Sequence, residues 1–331
     1  MKWQLIRLFL FTLPGVLFAS ESIAADYFVE PFVAHKYGSV KYHIDIPQTV
    51  SISSNSQITQ IVAASELEYP LDVSIAGLKA SVIFPFALNR ELTIFANTWK
   101  NLDNPGGKMQ DTDWLLNSAQ TNLEKTSYTQ STSRLQWSGV DAGLELNGFS
   151  LLEKPVSYGF ALDYDYSYHN MYGITGWQKS QPGAPPLPID TLHNTLVLTY
   201  QLWNVESSLY GKLRMYQAEK ISWDLMLSVS PLVVTQDKDD HVLRYKNAQT
   251  TALGYGAGAV TTLEYHFTKN FLLNAQLSVR YFRTQGKMTQ YYYKDDPSTP
   301  KINENGLIIG DVSNVITLFT QQVLLSVRWY F

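Results

Sequence analysis

The chain of 331 residues contains no cysteine. This absence excludes disulfide frameworks, cysteine nucleophiles and thiolate metal sites. Charge is also scarce, because Lys, Arg, Asp and Glu make up only 16% of the residues, against roughly 25% in an ordinary soluble domain. The formal net charge of −4 offers no basic surface, so we expect no nucleic-acid partner.

Long apolar runs are missing beyond the start of the chain, which excludes a transmembrane helix there, since such a helix needs about 20 apolar residues. The start itself is predicted to be a secretory signal over residues 1–24. Lys2 and Arg7 give it a basic beginning, an apolar stretch follows, and Ser22 to Ala24 form a small-x-small cleavage site. We therefore expect an exported protein.

An alternation of apolar and polar residues takes the place of the apolar runs. Over residues 271–283 one face is polar and the other carries Leu273, Ala275, Leu277, Val279 and Tyr281. The same period of two occurs over residues 221–229 and in the last segment, which ends on Phe331. This alternation is typical of β-strands with one apolar face.

Two folds share this pattern, a soluble β-sandwich and a membrane barrel. Segments longer than ten residues, aromatic residues near their ends and the terminal Phe331 favour the barrel. A terminal Phe resembles the signal by which outer-membrane barrels are recognised for insertion. The predicted fold is therefore all-β, a ten-stranded antiparallel transmembrane β-barrel with long extracellular loops, in the outer membrane of a Gram-negative-type cell.

Ten candidate strands follow from the pattern, near residues 49–63, 71–86, 91–101, 132–150, 157–170, 193–216, 221–236, 247–267, 271–286 and 313–331. The barrel domain is thus predicted over residues 49–331, and we expect residues 25–48 to form a periplasmic or plug-like extension.

The connections alternate between tight polar turns and longer stretches, the latter at residues 64–70, 102–131, 171–192, 237–246 and 287–312. Short turns normally face the periplasm and long loops the exterior. We therefore expect the function to reside on the outer side of the membrane.

Two acidic clusters lie in these predicted outer loops. One contains Asp111 and Asp113, and the other contains Asp237, Asp239 and His241. Opposed carboxylates and one imidazole can hold a water and remove its proton. Aspartates are also common turn formers, so solvated loop chemistry is the alternative. The second cluster lacks the spacing and the terminal Glu of a Ca²⁺ loop.

The segments that hold these clusters, GGKMQDTDW over residues 106–114 and DKDDH over residues 237–241, resemble the signature segments of the omptins, which are outer-membrane endoproteases built on ten-stranded barrels. The resemblance covers roughly residues 50–331. It implies a proteolytic site at the extracellular mouth, with an Asp–His pair and an Asp–Asp pair around a water.

Residue roles follow from this resemblance. Asp239 would orient His241, and His241 with Asp111 would activate the water that attacks the scissile carbonyl. Asp113 would position that water or stabilise the oxyanion. No acyl-enzyme, metal or cofactor is implied, although lipopolysaccharide stays open as an activator, since omptins bind it on the outer barrel wall.

The family binds a basic side chain of the substrate with a Glu on the first strand and an Asp two residues before the catalytic Asp. Asp237 holds the second position, whereas the first aligns near Ser56 or Gln57, which carry no charge. A preference for basic residues at the cleavage site is therefore expected but weakened, because one carboxylate would pair with the cation.

Two functions remain as hypotheses. The favoured one is an endopeptidase that cleaves peptide or protein substrates, with outer-membrane lipid around the barrel. The alternative is a non-catalytic barrel, an adhesin or a small channel, whose acidic rim binds cations or host proteins. Retention of Asp111, Asp113, Asp239 and His241 favours the protease.

Overall fold

The computed structural model describes residues 25–53, 56–86, 90–117, 119, 121–297 and 303–331. The secretory signal over residues 1–24 lies outside the described residues and stays a prediction. The described chain forms a short 3₁₀ turn (Val242–Arg244) and the strands β1 (Asp26–Ser53), β2 (Ser56–Pro70), β3 (Val73–Phe86), β4 (Arg90–Asn101), β5 (Pro105–Leu116), β6 (Leu123–Leu151), β7 (Lys154–Gln178), β8 (Leu187–Gln217), β9 (Ile221–His241), β10 (Lys246–His266), β11 (Phe271–Tyr292) and β12 (Ile308–Tyr330).

These strands close into an antiparallel ring. β2 and β3 follow one another along β1 in a single register, with Ser39 opposite Pro70 and Lys36 opposite Val73. β4 and β5 also follow one another along β6, with a shift in register at the start of β5. Each of these two pairs acts as one strand, so the twelve strands make a ring of about ten, which β1 and β12 close. The ten-stranded antiparallel barrel predicted from the sequence is confirmed.

The first strand corrects the prediction for residues 25–48. These residues are not a periplasmic or plug-like extension, because β1 runs from Asp26 to Ser53 and pairs with β12 and β3. The candidate strand near residues 49–63 instead spans the hairpin between β1 and β2. Inward aromatic residues caused the error, since buried Phe28 and Phe32 line the lumen together with Glu30, which pairs with Arg328 at 2.7 Å. These apolar rings interrupt the alternation of apolar and polar residues.

The outer connections are also shorter than predicted. Most of residues 102–131 and 171–192 belongs to β5 to β8, and residues 287–292 and 308–312 belong to β11 and β12. These strands extend past the apolar exterior of the barrel. On β9 that exterior carries exposed Trp223, Leu227, Val229 and Leu232, and then changes to the exposed polar Gln236. The acidic clusters therefore lie on strands above the lipid rather than on loops.

The interior of the barrel changes from polar to apolar along the barrel axis. From Asn274 to Arg280 the inward residues of β11 are polar. Arg280 pairs with Asp165 at 3.0 Å and with Glu206. This polar half encloses a cavity of about 720 Å³. Above it lies a layer of fully buried apolar side chains, among them Val40, Leu71, Leu135, Leu202, Val233, Phe282 and Ile316. That layer is the floor of the outer mouth.

The helical content is confined to short turns. No helix in the described ranges is long and apolar enough to cross a membrane.

Replacing Glu30 tests the corrected first strand. Glu30→Ala leaves Arg328 with only Glu264, at 3.0 Å, among its described acidic partners, so we expect the free energy of unfolding to fall by about 3–5 kcal/mol. The measurement is urea unfolding of the refolded barrel in lipid vesicles, followed by tryptophan fluorescence.

The matched control is Glu68→Ala, which removes an exposed pair with Lys41 at 3.2 Å and should cost less than about 1 kcal/mol. Equal effects of the two substitutions would show that Glu30 lies outside the barrel ring.

Candidate active site

The two acidic clusters face each other across the outer mouth. Asp111 and Asp113 lie on β5, whereas Asp239 and His241 end β9. In the outer ring three strands separate β5 from β9 on one side and five on the other. Asp111 lies opposite Leu67 of β2, which is buried inside the barrel, so its side chain points inward too. The strand order therefore brings together the four residues to which the resemblance assigns catalytic roles.

Asp239 and His241 form a pair on one wall. Nε2 of His241 lies 3.0 Å from Oδ2 of Asp239. Asp239 is almost fully buried, with 2% of its surface exposed, whereas the imidazole keeps some access to the mouth. A carboxylate at one ring nitrogen fixes the orientation of the imidazole and leaves the other nitrogen for a second partner.

Asp111 and Asp113 form the opposite wall. Ser127 donates its hydroxyl to Oδ2 of Asp113 at 2.7 Å. Burial, together with the negative charges of Asp113 and Asp239, holds the pKa of Asp111 well above its usual range, and Lys246 and Arg244 oppose this rise. The carboxylates of the two walls therefore share one electrostatic environment.

Several buried polar atoms in this cleft have no hydrogen-bond partner within the described part of the chain. They are Oδ1 of Asp111, Oδ1 of Asp239 and the hydroxyl of Tyr69. Buried polar groups in native proteins nearly always pair with protein, solvent or ligand. Their convergence suits a site that binds a water together with a polar substrate group.

A cluster of tyrosines supports the site from below. The ring of Tyr69 stacks on Tyr200 with 4.0 Å between centroids, and Tyr42 packs edge-on against Tyr200 at 6.0 Å. Sequence reasoning did not identify these residues. In the sequence, the only indication of their role is that they alternate with outward residues and so face the lumen. This indication can be used only when the bounds of β1 and β2 are known.

Asp237 lies next to this cluster. Its Oδ2 accepts a hydrogen bond from the hydroxyl of Tyr200 at 3.4 Å. Burial raises the pKa of Asp237 to about 7, with a smaller contribution from Asp239, while hydrogen bonds from Thr250 and Tyr200 oppose the rise. Asp237 has no ion-pair partner among the residues that the structure describes.

The side chains of Ser56 and Gln57 lie outside the described residues, although both belong to the backbone of β2. The residue of β1 that faces Asp237 is Tyr42, which senses the charge of Asp237. The alignment of the first-strand position with Ser56 or Gln57 stays a prediction. The group that β1 brings near Asp237 is the phenol of Tyr42.

The outer wall of the barrel carries the tyrosines of β7. Tyr164 is exposed, and Tyr166 packs against Trp203 of β8 with ring centroids 5.3 Å apart. Aromatic side chains of this kind are typical of a membrane interface. Within the described ranges, no group of three or more His, Asp or Glu side chains is arranged to hold a metal ion.

The chain is similar to one family of known proteins and to several solved structures. The Omptin family model matches residues 65–319, which include both acidic segments. Among solved structures, the outer membrane protease OmpT from Escherichia coli is 12% identical, with a TM-score of 0.71 over 95% of this chain and 100% of that chain. The similarity to OmpT shows a shared fold.

A more distant structure is the toluene transporter TbuX from Ralstonia pickettii. It is 9% identical, with a TM-score of 0.25 over 94% of this chain and 90% of that chain, a score too low to indicate a shared fold. No curated protein sequence matches the chain.

Proposed function

Since the chain belongs to the omptin family of outer-membrane proteases, we propose that it is an endopeptidase whose attacking water is activated between the Asp239–His241 pair and the Asp111–Asp113 pair. The observation that carries this proposal is the 3.0 Å contact between Asp239 and His241. Across the mouth lies the carboxyl of Asp111, whose pKa is raised in part by the charge of Asp239. A base oriented by a carboxylate and aimed at a confined water is the arrangement that hydrolysis requires.

His241 is the general base in this proposal. With Nε2 held by Asp239, the other ring nitrogen takes a proton from the water as its oxygen bonds to the peptide carbonyl carbon. The imidazolium next to Asp239 then gives that proton to the leaving amine. The products are a new carboxyl group and a new amine, and no covalent bond to the protein forms.

Asp111 contacts the water from the opposite wall. Burial and the negative charge of Asp113 raise the pKa of Asp111, so Asp111 keeps its proton to a higher pH than an ordinary aspartate does. Ser127 donates its hydroxyl to Asp113 and holds that carboxyl in place. Asp113 positions the water or stabilises the oxyanion.

The proposed substrates are peptides or proteins with a basic residue at the cleavage site. A buried carboxylate without a cation is costly, and a Lys or Arg side chain of the substrate would offset that cost at Asp237. Tyr42 supplies no second charge, so the preference depends on one carboxylate. We propose no cofactor, and lipopolysaccharide is included in the assay as a candidate activator.

The apolar layer argues against the alternative of a small channel. Fully buried Leu202, Val233 and Phe282 lie between the polar cavity and the mouth, where a pore would need a polar path. A non-catalytic adhesin is distinguished by the absence of hydrolysis in the tests below.

Asp111→Asn and His241→Gln should each lower kcat by about 10²–10⁴-fold, because general-base activation contributes that much. The assay is cleavage of a fluorogenic peptide by the barrel refolded with and without lipopolysaccharide, with circular dichroism to confirm folding.

Asp240→Asn is the matched control. Asp240 lies on the same strand but outside the cleft, where it accepts a hydrogen bond from Tyr293 at 3.2 Å, so its replacement should leave the rate close to that of the wild type. A near-normal rate in either folded cleft variant would contradict the mechanism.

Selectivity for basic residues should rise with pH. The pKa of Asp237 is raised to about 7, so the carboxyl is neutral below that pH and gains its charge above it. Between about pH 6 and about pH 8 the ionised fraction rises roughly tenfold, and the kcat/KM ratio for matched Arg and Gln peptides should rise with it.

Asp237→Asn should give a low ratio that does not change with pH. If the kcat/KM ratio for Arg and Gln peptides is high and independent of pH in both the wild type and Asp237→Asn, Asp237 does not determine specificity.

A further inference from the structure

Lys246 is a buried cation beside the proposed base. It begins β10 directly opposite His241 in the β9–β10 ladder, and 9% of its surface is exposed. Buried Ala248 and Thr250 share its parity on β10, so its side chain points into the barrel. Residues directly opposite on antiparallel strands have Cβ atoms about 4.5–5.5 Å apart. The ammonium group therefore belongs to the same cleft as the imidazole.

The charges around Lys246 come from every wall of the cleft. Asp239 on β9, and Asp113 and Asp111 on β5, attract it, while Arg244 in the 3₁₀ turn repels it. The inward residue next to Lys246 on β10 is Ala248, a small side chain that lies opposite Asp239.

The two cations of this region differ in their partners. Nε of Arg244 lies 2.7 Å from Oδ2 of Asp296, so that guanidinium is already paired. Lys246 has no ion pair within 4.0 Å and no hydrogen bond from its side chain to any residue of the described ranges. A buried ammonium without a direct partner is costly, and in this cleft the reaction itself creates a new anion.

Peptide hydrolysis adds negative charge to a site that already holds three carboxyl groups. When the water oxygen bonds to the carbonyl carbon, the π electron pair moves to the carbonyl oxygen and His241 takes the water proton. A fixed cation near that oxygen stabilises the transition state without reorganisation. The tetrahedral intermediate then re-forms the carbonyl as the C–N bond breaks and His241 protonates the amine.

We propose that Lys246 is a further catalytic residue, whose ammonium group donates a hydrogen bond to the oxyanion and offsets the repulsion among Asp111, Asp113 and Asp239. This inference rests on the proposed function, since an oxyanion forms only if the site hydrolyses a carbonyl substrate. It assigns the positive charge of the site to β10, a strand that carries none of the four motif residues.

The test compares Lys246→Met, which removes the charge, with Lys246→Arg, which keeps it. Lys246→Met should lower kcat by about 10²–10³-fold with little change in KM, as loss of one oxyanion donor does. Lys246→Arg should retain at least about tenfold more activity than Lys246→Met. The matched control is Lys238→Met, since Lys238 lies at the same end of β9 on the opposite face and should have no effect.

A second readout does not depend on turnover. The titration of Asp111 is followed by carbon NMR of protein labelled at the aspartate carboxyls, with the signal assigned from Asp111→Asn. Because Lys246 lowers the pKa of Asp111, Lys246→Met should shift that titration upward by about one pH unit. Lys238→Met should leave it unchanged.

The outcomes separate this inference from the proposed function. A wild-type protein that cleaves no peptide overturns the proposed function, and the catalytic role of Lys246 with it. A wild type that cleaves, together with a Lys246→Met variant of unchanged kcat, overturns only the role of Lys246. An unshifted Asp111 titration in Lys246→Met overturns the placement of the ammonium in the cleft, whatever the rates.

Discussion

Closure of the backbone hydrogen-bond ladder is the constraint on which the rest of this molecule depends. Lipid offers no partner for a free N–H or C=O group, so a sheet in a membrane must have no edge. Here β1 supplies the closure, because it pairs with β12 on one side and with β2 and β3 on the other. The ring that spans the lipid then continues above it, and that rigid extension carries the acidic side chains of the mouth.

The position of the site follows from the same closure. β5 and β9 belong to different hairpins, yet the ring places them on opposite walls, where Asp111 interacts with the charge of Asp239. Such a cluster of carboxyls is unfavourable in itself, since burial and mutual repulsion both oppose ionisation. The surrounding strands impose it, and the cations of β10 and of the preceding 3₁₀ turn moderate it. Carboxyl groups with shifted pKa values in a cleft are typical of functional sites.

The sequence was sufficient for the barrel, because long strands that alternate apolar and polar residues give a strong local signal. Two separate acidic segments indicated the candidate site residues, whose roles stay a prediction. It failed where inward residues are aromatic, because the alternation of apolar and polar residues disappears there. Inward Phe28 and Phe32 hid β1 in this way, and the extended outer strands were mistaken for loops. Tyr42 and Lys246 could not be placed without the strand register, which depends on pairing between distant segments.

The central claim is that Asp111 and His241, on opposite walls, act on one water. Kinetics of the double variant Asp111→Asn/His241→Gln test it most directly, because groups that act as a unit have strongly non-additive effects. Shared action predicts a double variant about as slow as the slower single variant. If the two losses in kcat multiply, Asp111 and His241 act independently, and the assignment of one water to both walls is contradicted.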